Sequence, residues 1–135
     1  MTSELPLIDV HSAGVAATPE TVFDALERLG PRVGTDAVSR TYARLVGTED
    51  RGPFHLARSE RPGLVLLAGS HRFSRFELAF RIEPAGRGSV MHAETRAVFP
   101  GIGGRLYRAA VIGSGGHRVA MRLLLGSLKR SIERR

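Results

Sequence analysis

Hydrophobic and polar positions repeat with a period of two from residue 53 to residue 99 of this chain. A period of two is typical of β-strands that bury one face and expose the other. The stretch 75–83 carries phenylalanine, leucine and isoleucine on one face and mainly arginine and glutamate on the other, and the stretch 89–99 also alternates. We therefore expect two long antiparallel strands here, and two shorter ones over 54–59 and 64–70 around the turn Arg61-Pro62-Gly63.

The turn between the two long strands determines how they pair. A two-residue loop at Gly86-Arg87 places Glu77 opposite Arg96 and sets large side chains against small ones on the other face. A register two residues tighter would oppose like charges, so the first register is preferred. The resulting sheet has one apolar face, which another element must cover. The expected pairs on that face are Ile82 with Met91, Phe80 with Ala93 and Phe76 with Ala97.

Helical signals flank the strands. A first strand is expected over 8–16, after which Thr18 and Pro19 supply an N-cap and a first-turn proline for a helix that ends at Gly30-Pro31. A second short helix is expected over 36–45. Residues 101–135 are expected to be helical, to break at the glycines of 113–116 and to cover the sheet. The apolar positions at helical spacing are Leu106, Tyr107, Ala110 and Val111 before the break, and Val119, Ala120, Leu123, Leu124, Leu128 and Ile132 after it.

The length of 135 residues suits a single domain, 1–135, with one hydrophobic core. The chain has no cysteine, which excludes disulfides, thiolate nucleophiles and cysteine-bound metals. The apolar run 64–68 is much shorter than the about 20 residues that span a bilayer, and the first eight residues do not resemble a signal sequence. A cytoplasmic location is expected.

Positive charge is concentrated at the C-terminal end of a chain whose net charge is +7. Residues 1–100 hold twelve basic and twelve acidic side chains, whereas residues 101–135 hold eight basic ones and only Glu133 as an acid. Such a cluster can be the solvated face of a helix, or it can bind nucleic acid, an acidic partner or an anionic membrane surface. The side chains available for this are Arg118, Arg122, Lys129, Arg130 and Arg134.

The order strand, two short helices, antiparallel strands and long C-terminal helix resembles the START-like, or SRPBCC, superfamily. The segments 15–26, with its Thr18-Pro19-Glu20 entry, 69–80 and 99–117 carry the resemblance, which is to a short bacterial member related to polyketide cyclases and lipid-transport proteins. It implies an α+β helix-grip fold: a curved antiparallel sheet wrapped on a C-terminal helix, with two short helices after the first strand. It also implies an apolar ligand between sheet and helix. The shortness of this chain implies that one or two strands are missing and the cavity is reduced.

Candidate site residues follow from the strand faces and from the ends of strands and helices. No HExxH pattern and no i,i+4 histidine pair occurs, so no metal or cofactor is expected. No Gly-x-Ser-x-Gly motif marks a nucleophile. The apolar members of the set are either the lining of a cavity or simply the packed core. The expected ligand-binding residues are His71, Phe76, Phe80, Met91, Thr95, Phe99, Tyr107 and His117.

Three functions stay open at this point. The first is the binding of a small apolar or amphipathic ligand between the sheet and the C-terminal helix. The second is an enzyme of the cyclase or aromatase kind, with His71, Tyr107 and His117 as acid/base groups and Arg72 as a charge partner. The third is an electrostatic interaction module that uses the basic C-terminal helix.

Overall fold

The structure is a computed structural model that describes residues 5–32, 54–71, 74–113 and 115–134. Its elements confirm the expected α+β class, and the expected second helix over 36–45 lies outside the described residues. The strands are β1 (Leu7–Val15), β2 (His55–Glu60), β3 (Leu64–His71), β4 (Ser74–Ala85) and β5 (Gly88–Val98). The helices are α1 (Pro19–Leu29), α2 (Gly101–Arg108) and α3 (Gly116–Glu133), with a 3-10 turn at Gly30–Arg32 and a π turn at Ala109–Gly113.

The five described strands form one antiparallel sheet in the order β1-β5-β4-β3-β2. Strands β4 and β5 form the predicted hairpin, in which Gly86 takes the left-handed conformation with a φ of 58°. The predicted register is confirmed on both faces, which places the apolar side chains of β4 and β5 on one inner face. The confirmed pairs are Ile82 with Met91, Phe80 with Ala93, Phe76 with Ala97, Glu77 with Arg96 and Arg81 with His92.

Helix α1 covers the centre of the inner face. The Thr18 hydroxyl accepts a hydrogen bond of 3.3 Å from the backbone N–H of Thr21, and Pro19 fits the first turn because it needs no N–H partner there. The buried side of this helix packs against β3, β4 and β5. The C-terminal segment, for which this role is predicted, therefore shares it with α1. The buried residues of α1 are Val22, Phe23, Ala25 and Leu26.

Helix α3 packs along β1 and against α1. The apolar stripe predicted for it is wrong in its first half, because Val119 and Leu123 are 56% and 68% exposed. Val119 and Leu123 form a short apolar row about half a turn from the buried one, so in this half of the helix helical spacing alone does not select the row that faces the core. The buried row consists of Met121, Leu125, Leu128 and Ile132.

Helix α2 starts directly after Pro100, as expected for a helical segment that begins at residue 101. Its buried residue is Gly104, while Ile102 and Leu106 are 79% and 68% exposed, so the predicted burial of Leu106 is wrong. The predicted glycine break is confirmed, because the π turn follows α2 and Gly115 then takes a left-handed φ of 83° before α3 begins. None of the described helices is both long enough and apolar enough to cross a membrane.

Candidate functional site

Four polar side chains meet on the inner face of the sheet. Asp9 and His11 lie on β1, Thr95 lies on β5, and His117 lies in the first turn of α3. Because side chains alternate along a strand, Asp9 and His11 share the inner face with the buried Val15. Asp9 also lies directly opposite Thr95 in the register of β1 and β5. We call Asp9, His11, Thr95 and His117 the inner polar cluster.

The Asp9 carboxylate joins the two imidazoles of this cluster. Its Oδ2 lies 3.1 Å from Nε2 of His11, and its Oδ1 lies 3.3 Å from Nε2 of His117. The same Nε2 of His117 lies 3.3 Å from the Thr95 hydroxyl, so the two oxygens share one N–H. The contact with the Asp9 carboxylate, which accepts, places a proton of His117 on Nε2, and Nδ1 of the neutral ring is then an acceptor.

The cluster is largely shielded from water. The side chains of His11, His117 and Asp9 are 15%, 19% and 23% exposed, and Thr95 is buried. A carboxylate in such a place is costly unless hydrogen bonds compensate it. The imidazoles of His11 and His117 supply these hydrogen bonds. His117, which contacts Asp9, lies in the first turn of α3, and the amino-terminal end of a helix also favours a nearby carboxylate.

The apolar residues of the inner face fall into a closed part and an open part. Phe80 and Met91 are completely buried in the core that joins the sheet to α1 and α3. Further along the same face, Phe76 and Phe99 are only half-buried. The register places Phe76 opposite Ala97, two residues from Thr95, so this half-buried part borders the inner polar cluster.

Aromatic contacts order the open part. The rings of Phe54 and Phe76 meet edge to face with their centroids 5.1 Å apart. Phe99 lies 6.2 Å from the ring of Tyr107, and the Arg108 guanidinium lies 5.9 Å from the centre of the Phe99 ring. We call Phe76, Thr95, Phe99, Tyr107 and His117 the open end of the inner face.

The eight ligand-binding residues predicted from the sequence lie in different parts of the structure. Thr95 and His117 come within hydrogen-bonding distance, and Phe99 contacts Tyr107. Phe80 and Met91 belong to the closed core, which is the second of the two alternatives for these apolar residues. The backbone of His71 ends β3, and its side chain and all of Arg72 lie outside the described residues.

Asp9 and His11 are functional candidates that are absent from the set predicted from the sequence. Their signal is present in the first strand, where Asp9, His11, Ala13 and Val15 have the same parity. This parity places two polar residues in line with apolar ones, on the face that becomes the inner face. The contrast with the flanking exposed positions is weak, because alanine and glycine occupy part of this strand.

A second polar group lies on the outer face of the sheet. Nδ1 of His92 lies 2.7 Å from the Ser12 hydroxyl oxygen, and its Nε2 lies 3.3 Å from a carboxylate oxygen of Glu83. The parity of β5 predicts this outer position of His92. Because the group lies across the sheet from the open end, His92 is a matched control for His117.

Metal binding is not indicated by the parts of the chain that the structure describes. Among these residues, no group of three histidine, cysteine, aspartate or glutamate side chains has an arrangement that could hold a metal ion. The inner polar cluster offers hydrogen bonds and proton transfer instead, through imidazole, carboxylate and hydroxyl groups.

Comparisons with known proteins give matches at the level of structure. No family model matches the chain, and no curated protein matches it. An uncharacterised protein from Rhizobium leguminosarum is similar to it with a TM-score of 0.58 at 16% identity, over 94% of both chains. CalU16 from Micromonospora echinospora is similar with a TM-score of 0.55 at 15% identity, over 91% of this chain and 72% of that one.

A third solved structure is norcoclaurine synthase from Thalictrum flavum, a point mutant in complex with a transition-state analogue. It is similar with a TM-score of 0.53 at 12% identity, over 98% of this chain and 96% of that one. Nothing in these likenesses supports nucleic-acid binding. The five-stranded antiparallel sheet and the C-terminal helix match these neighbours, and the START-like resemblance is confirmed for the fold. This chain therefore has the helix-grip fold of the START-like, or SRPBCC, superfamily.

Proposed function

We propose that the protein binds a small amphipathic ligand at the open end of the inner face. The polar part of the ligand contacts the inner polar cluster, and its apolar part lies against Phe76, Phe99 and Tyr107. The observation that supports this most strongly is the cluster itself, in which a carboxylate, two imidazoles and a hydroxyl are shielded on an otherwise apolar face. Ligand pockets commonly combine an apolar lining with a few convergent polar groups.

The charges of the cluster restrict the polar part of the ligand. The Asp9 carboxylate would repel a second carboxylate placed within about 4–6 Å of it. A neutral hydroxyl or carbonyl group avoids this repulsion. The Thr95 hydroxyl, which lies beside Nε2 of His117, can donate a hydrogen bond to it. The ligand we propose is therefore an apolar molecule with a neutral oxygen at one end.

The fold supports a small-molecule site of this kind. The norcoclaurine synthase structure with a transition-state analogue shows that a helix-grip fold can hold a small organic molecule. In this chain the closed core leaves the open end as the part of the inner face where aromatic side chains are half-buried. The proposal therefore places the ligand beside Thr95 and His117, away from Phe80 and Met91.

The test uses matched neutral and charged compounds. The protein is titrated with 2-naphthol and 1-decanol, and in parallel with 2-naphthoic and decanoic acid, and binding is followed by calorimetry and by native mass spectrometry. We expect saturable one-to-one binding of a neutral member and weaker binding of its acid. A compound at 100 times its Kd should also stabilise the fold by about 2.7 kcal/mol. If no member of the panel binds, the proposal is wrong.

Two variants locate the site. Thr95→Val removes the hydroxyl at nearly constant volume, and loss of one buried hydrogen bond of about 1.4 kcal/mol should weaken binding about tenfold. His92→Ala, on the outer face, should bind as the parent protein does. Equal affinity of the parent and the Thr95→Val variant would place the ligand elsewhere.

Acid–base catalysis is a second candidate function, favoured by the contact of His117 with Asp9. A carboxylate that orients an imidazole makes it an effective general base. In the reaction we propose, Nδ1 of His117 removes a proton from a carbon next to a carbonyl group and later returns one to the same carbon. Incorporation of deuterium from heavy water into a methyl ketone, followed by NMR, tests this. The exchange should be lost in His117→Ala and retained in His92→Ala, and equal exchange rates would exclude it.

A further inference from the structure

Two pairs of large apolar side chains point away from the core in the C-terminal segment. Ile102 and Leu106 on α2 are 79% and 68% exposed, and Val119 and Leu123 on α3 are 56% and 68% exposed. Residues four positions apart lie on the same side of a helix, so each pair forms one outward face. Val119 lies about half a turn from the buried Met121, which places its pair opposite the core.

These four residues stand out among the exposed apolar side chains of the described chain. Seven large hydrophobic residues are exposed there, and four of them lie on the two C-terminal helices. The others are Leu7 and Val10 on β1 and Leu56 on β2, and they lie on the two edge strands. Each of the two pairs makes a small apolar patch on one side of its helix, and exposed apolar patches indicate an interaction surface.

Arginines accompany both pairs. Arg105 lies beside Leu106 on α2, and Arg118 and Arg122 lie beside Val119 and Leu123 on α3, and all three arginines are exposed. Within the described ranges, none of these arginines forms a salt bridge with an acidic side chain. The sequence contains no aspartate or glutamate from 101 to 132. Their positive charge is therefore not neutralised by the segment that carries them.

We propose that these two helices bind the surface of an anionic lipid bilayer. The surface consists of Ile102, Arg105, Leu106, Arg118, Val119, Arg122 and Leu123, and we call it the C-terminal amphipathic surface. Helices that lie in a membrane interface combine apolar side chains, which enter the acyl boundary, with basic side chains, which attract anionic headgroups. Nucleic acid would account for the arginines, but it would leave four outward apolar side chains in water. An anionic bilayer accounts for both features, and this surface is separate from the open end proposed for the ligand.

The first measurement is co-flotation of the protein with lipid vesicles. We expect binding to vesicles of equal parts phosphatidylglycerol and phosphatidylcholine, and little binding to pure phosphatidylcholine. Binding should weaken as salt rises, because the screening length falls from about 10 Å at 0.1 M to about 3 Å at 1 M. Equal binding to the two kinds of vesicle would overturn the proposal.

The charge variant is Arg118→Gln together with Arg122→Gln. Each basic residue near an anionic surface contributes about 1 kcal/mol, so loss of two should lower the partition coefficient about 30-fold. The control is Arg28→Gln together with Arg87→Gln, which changes the net charge equally at two exposed sites on α1 and the β4–β5 loop. The control should bind as the parent protein does. Equal losses in the two variants would mean that only net charge matters, and the proposed surface would be wrong.

The apolar variant is Val119→Ser together with Leu123→Ser. Each methylene buried in a bilayer contributes about 0.8 kcal/mol, so partition should fall at least about tenfold. The control is Val10→Ser together with Leu56→Ser, exposed positions on other elements. All four variants change exposed side chains, and near-ultraviolet circular dichroism confirms that each is folded.

Two further outcomes would also overturn the proposal. One is binding to duplex DNA that depends on these arginines, with no binding to vesicles. The other is a dimer that dissociates in the Val119→Ser, Leu123→Ser variant while vesicle binding stays unchanged. The Thr95→Val variant should bind vesicles normally, which separates this test from the test of the ligand site.

Discussion

The Nε2 atom of His117 lies 3.3 Å from a carboxylate oxygen of Asp9, which joins the first turn of α3 to β1 across 108 positions of sequence. The other end of α3 is joined to the same region. Lys129 donates a 2.8 Å hydrogen bond to the backbone oxygen of Gly14, and Glu133 accepts one of 2.8 Å from the backbone N–H of Ala16. Helix α3 is thus held to β1 and its following residue at both ends by polar contacts, with the apolar row between them.

The contact between Asp9 and His117 should give a measurable coupling free energy in a double-mutant cycle of these two residues. We expect Asp9→Ala and His117→Ala to lower the free energy of unfolding by about 1–3 kcal/mol each, because partners stay buried without hydrogen bonds. The double variant should lose less than the sum, with a coupling of about 0.5–3 kcal/mol. Urea unfolding of the four proteins of the cycle measures it.

The same cycle on Ser12 and His92 is the control for the Asp9–His117 pair. Their 2.7 Å contact lies on the outer face, where Ser12 is exposed and water can replace the lost partner. Its coupling should therefore be smaller than that of the inner pair. Equal coupling energies for the Asp9–His117 and Ser12–His92 pairs would show that shielding on the inner face does not strengthen the contact.

Leu128 and Leu123 lie on the same helix and should respond differently to truncation. Leu128 is 6% exposed within the core, and Leu123 is 68% exposed. Leu128→Ala should destabilise the fold by about 2–5 kcal/mol through lost burial and a cavity, whereas Leu123→Ala should stay within about 0.5 kcal/mol. Thermal and urea unfolding measure both. A large loss in Leu123→Ala would place the second apolar row against the core.

The two rows of α3 show where prediction from sequence reaches its limit. In β4 and β5, strict alternation leaves only one way to bury the apolar face, and opposite charges at Glu77 and Arg96 select one register, so pattern alone predicts the hairpin. In the first half of α3, Val119 with Leu123 and Met121 with Leu125 form two apolar rows of equal regularity. The choice between them depends on where β1 and α1 lie, which is a tertiary property.

Gly88 should be intolerant of a side chain. A Cβ atom at this position would lie 2.5 Å from the backbone oxygen of Val15, closer than van der Waals contact allows. Gly88→Ala should therefore destabilise the protein by about 1–3 kcal/mol, because the start of β5 must move away from the end of β1. Urea unfolding measures the loss.

Gly14 is the matched control for Gly88, on the facing strand. A Cβ atom there has no neighbour within 4 Å. Gly14→Ala should leave the fold at least as stable as the parent, since alanine restricts the unfolded chain more than glycine does. Similar losses at Gly14 and Gly88 would contradict the close approach of β5 to Val15.

Glu133 should make stability depend on pH. The hydrogen bond from Lys129, and then that from the backbone N–H of Ala16, hold the pKa of this carboxyl below its ordinary value of 4.5. A carboxyl with a lowered folded pKa stabilises the fold above the ordinary pKa and loses this effect as pH falls through the folded pKa. Glu133→Gln should therefore be less stable than the parent at neutral pH, and the difference should disappear in acid. Unfolding curves from pH 7 downward test this, and a difference that does not change with pH would contradict it.

The candidate site could be predicted only in part. Thr95 follows from the parity of β5, and His117 from its position just after the glycine break, and these two come together. Asp9 joins them only because β1 pairs with β5 over a long sequence separation, which no local pattern specifies. The division between the closed core at Phe80 and the half-buried aromatics likewise depends on tertiary packing, because side chains of α1 and α3 complete the core around Phe80.

Helix α3 has one row of side chains in the core and another on the surface, on a backbone that is tied to β1 at both ends. Both rows are carried by the same helix, so a displacement of α3 moves the buried row and the exposed row together. A molecule that changes the position of α3 from the inner face would also change what its outer row presents. By thermodynamic linkage, whatever binds the outer row would then alter the affinity at the inner face by the same factor.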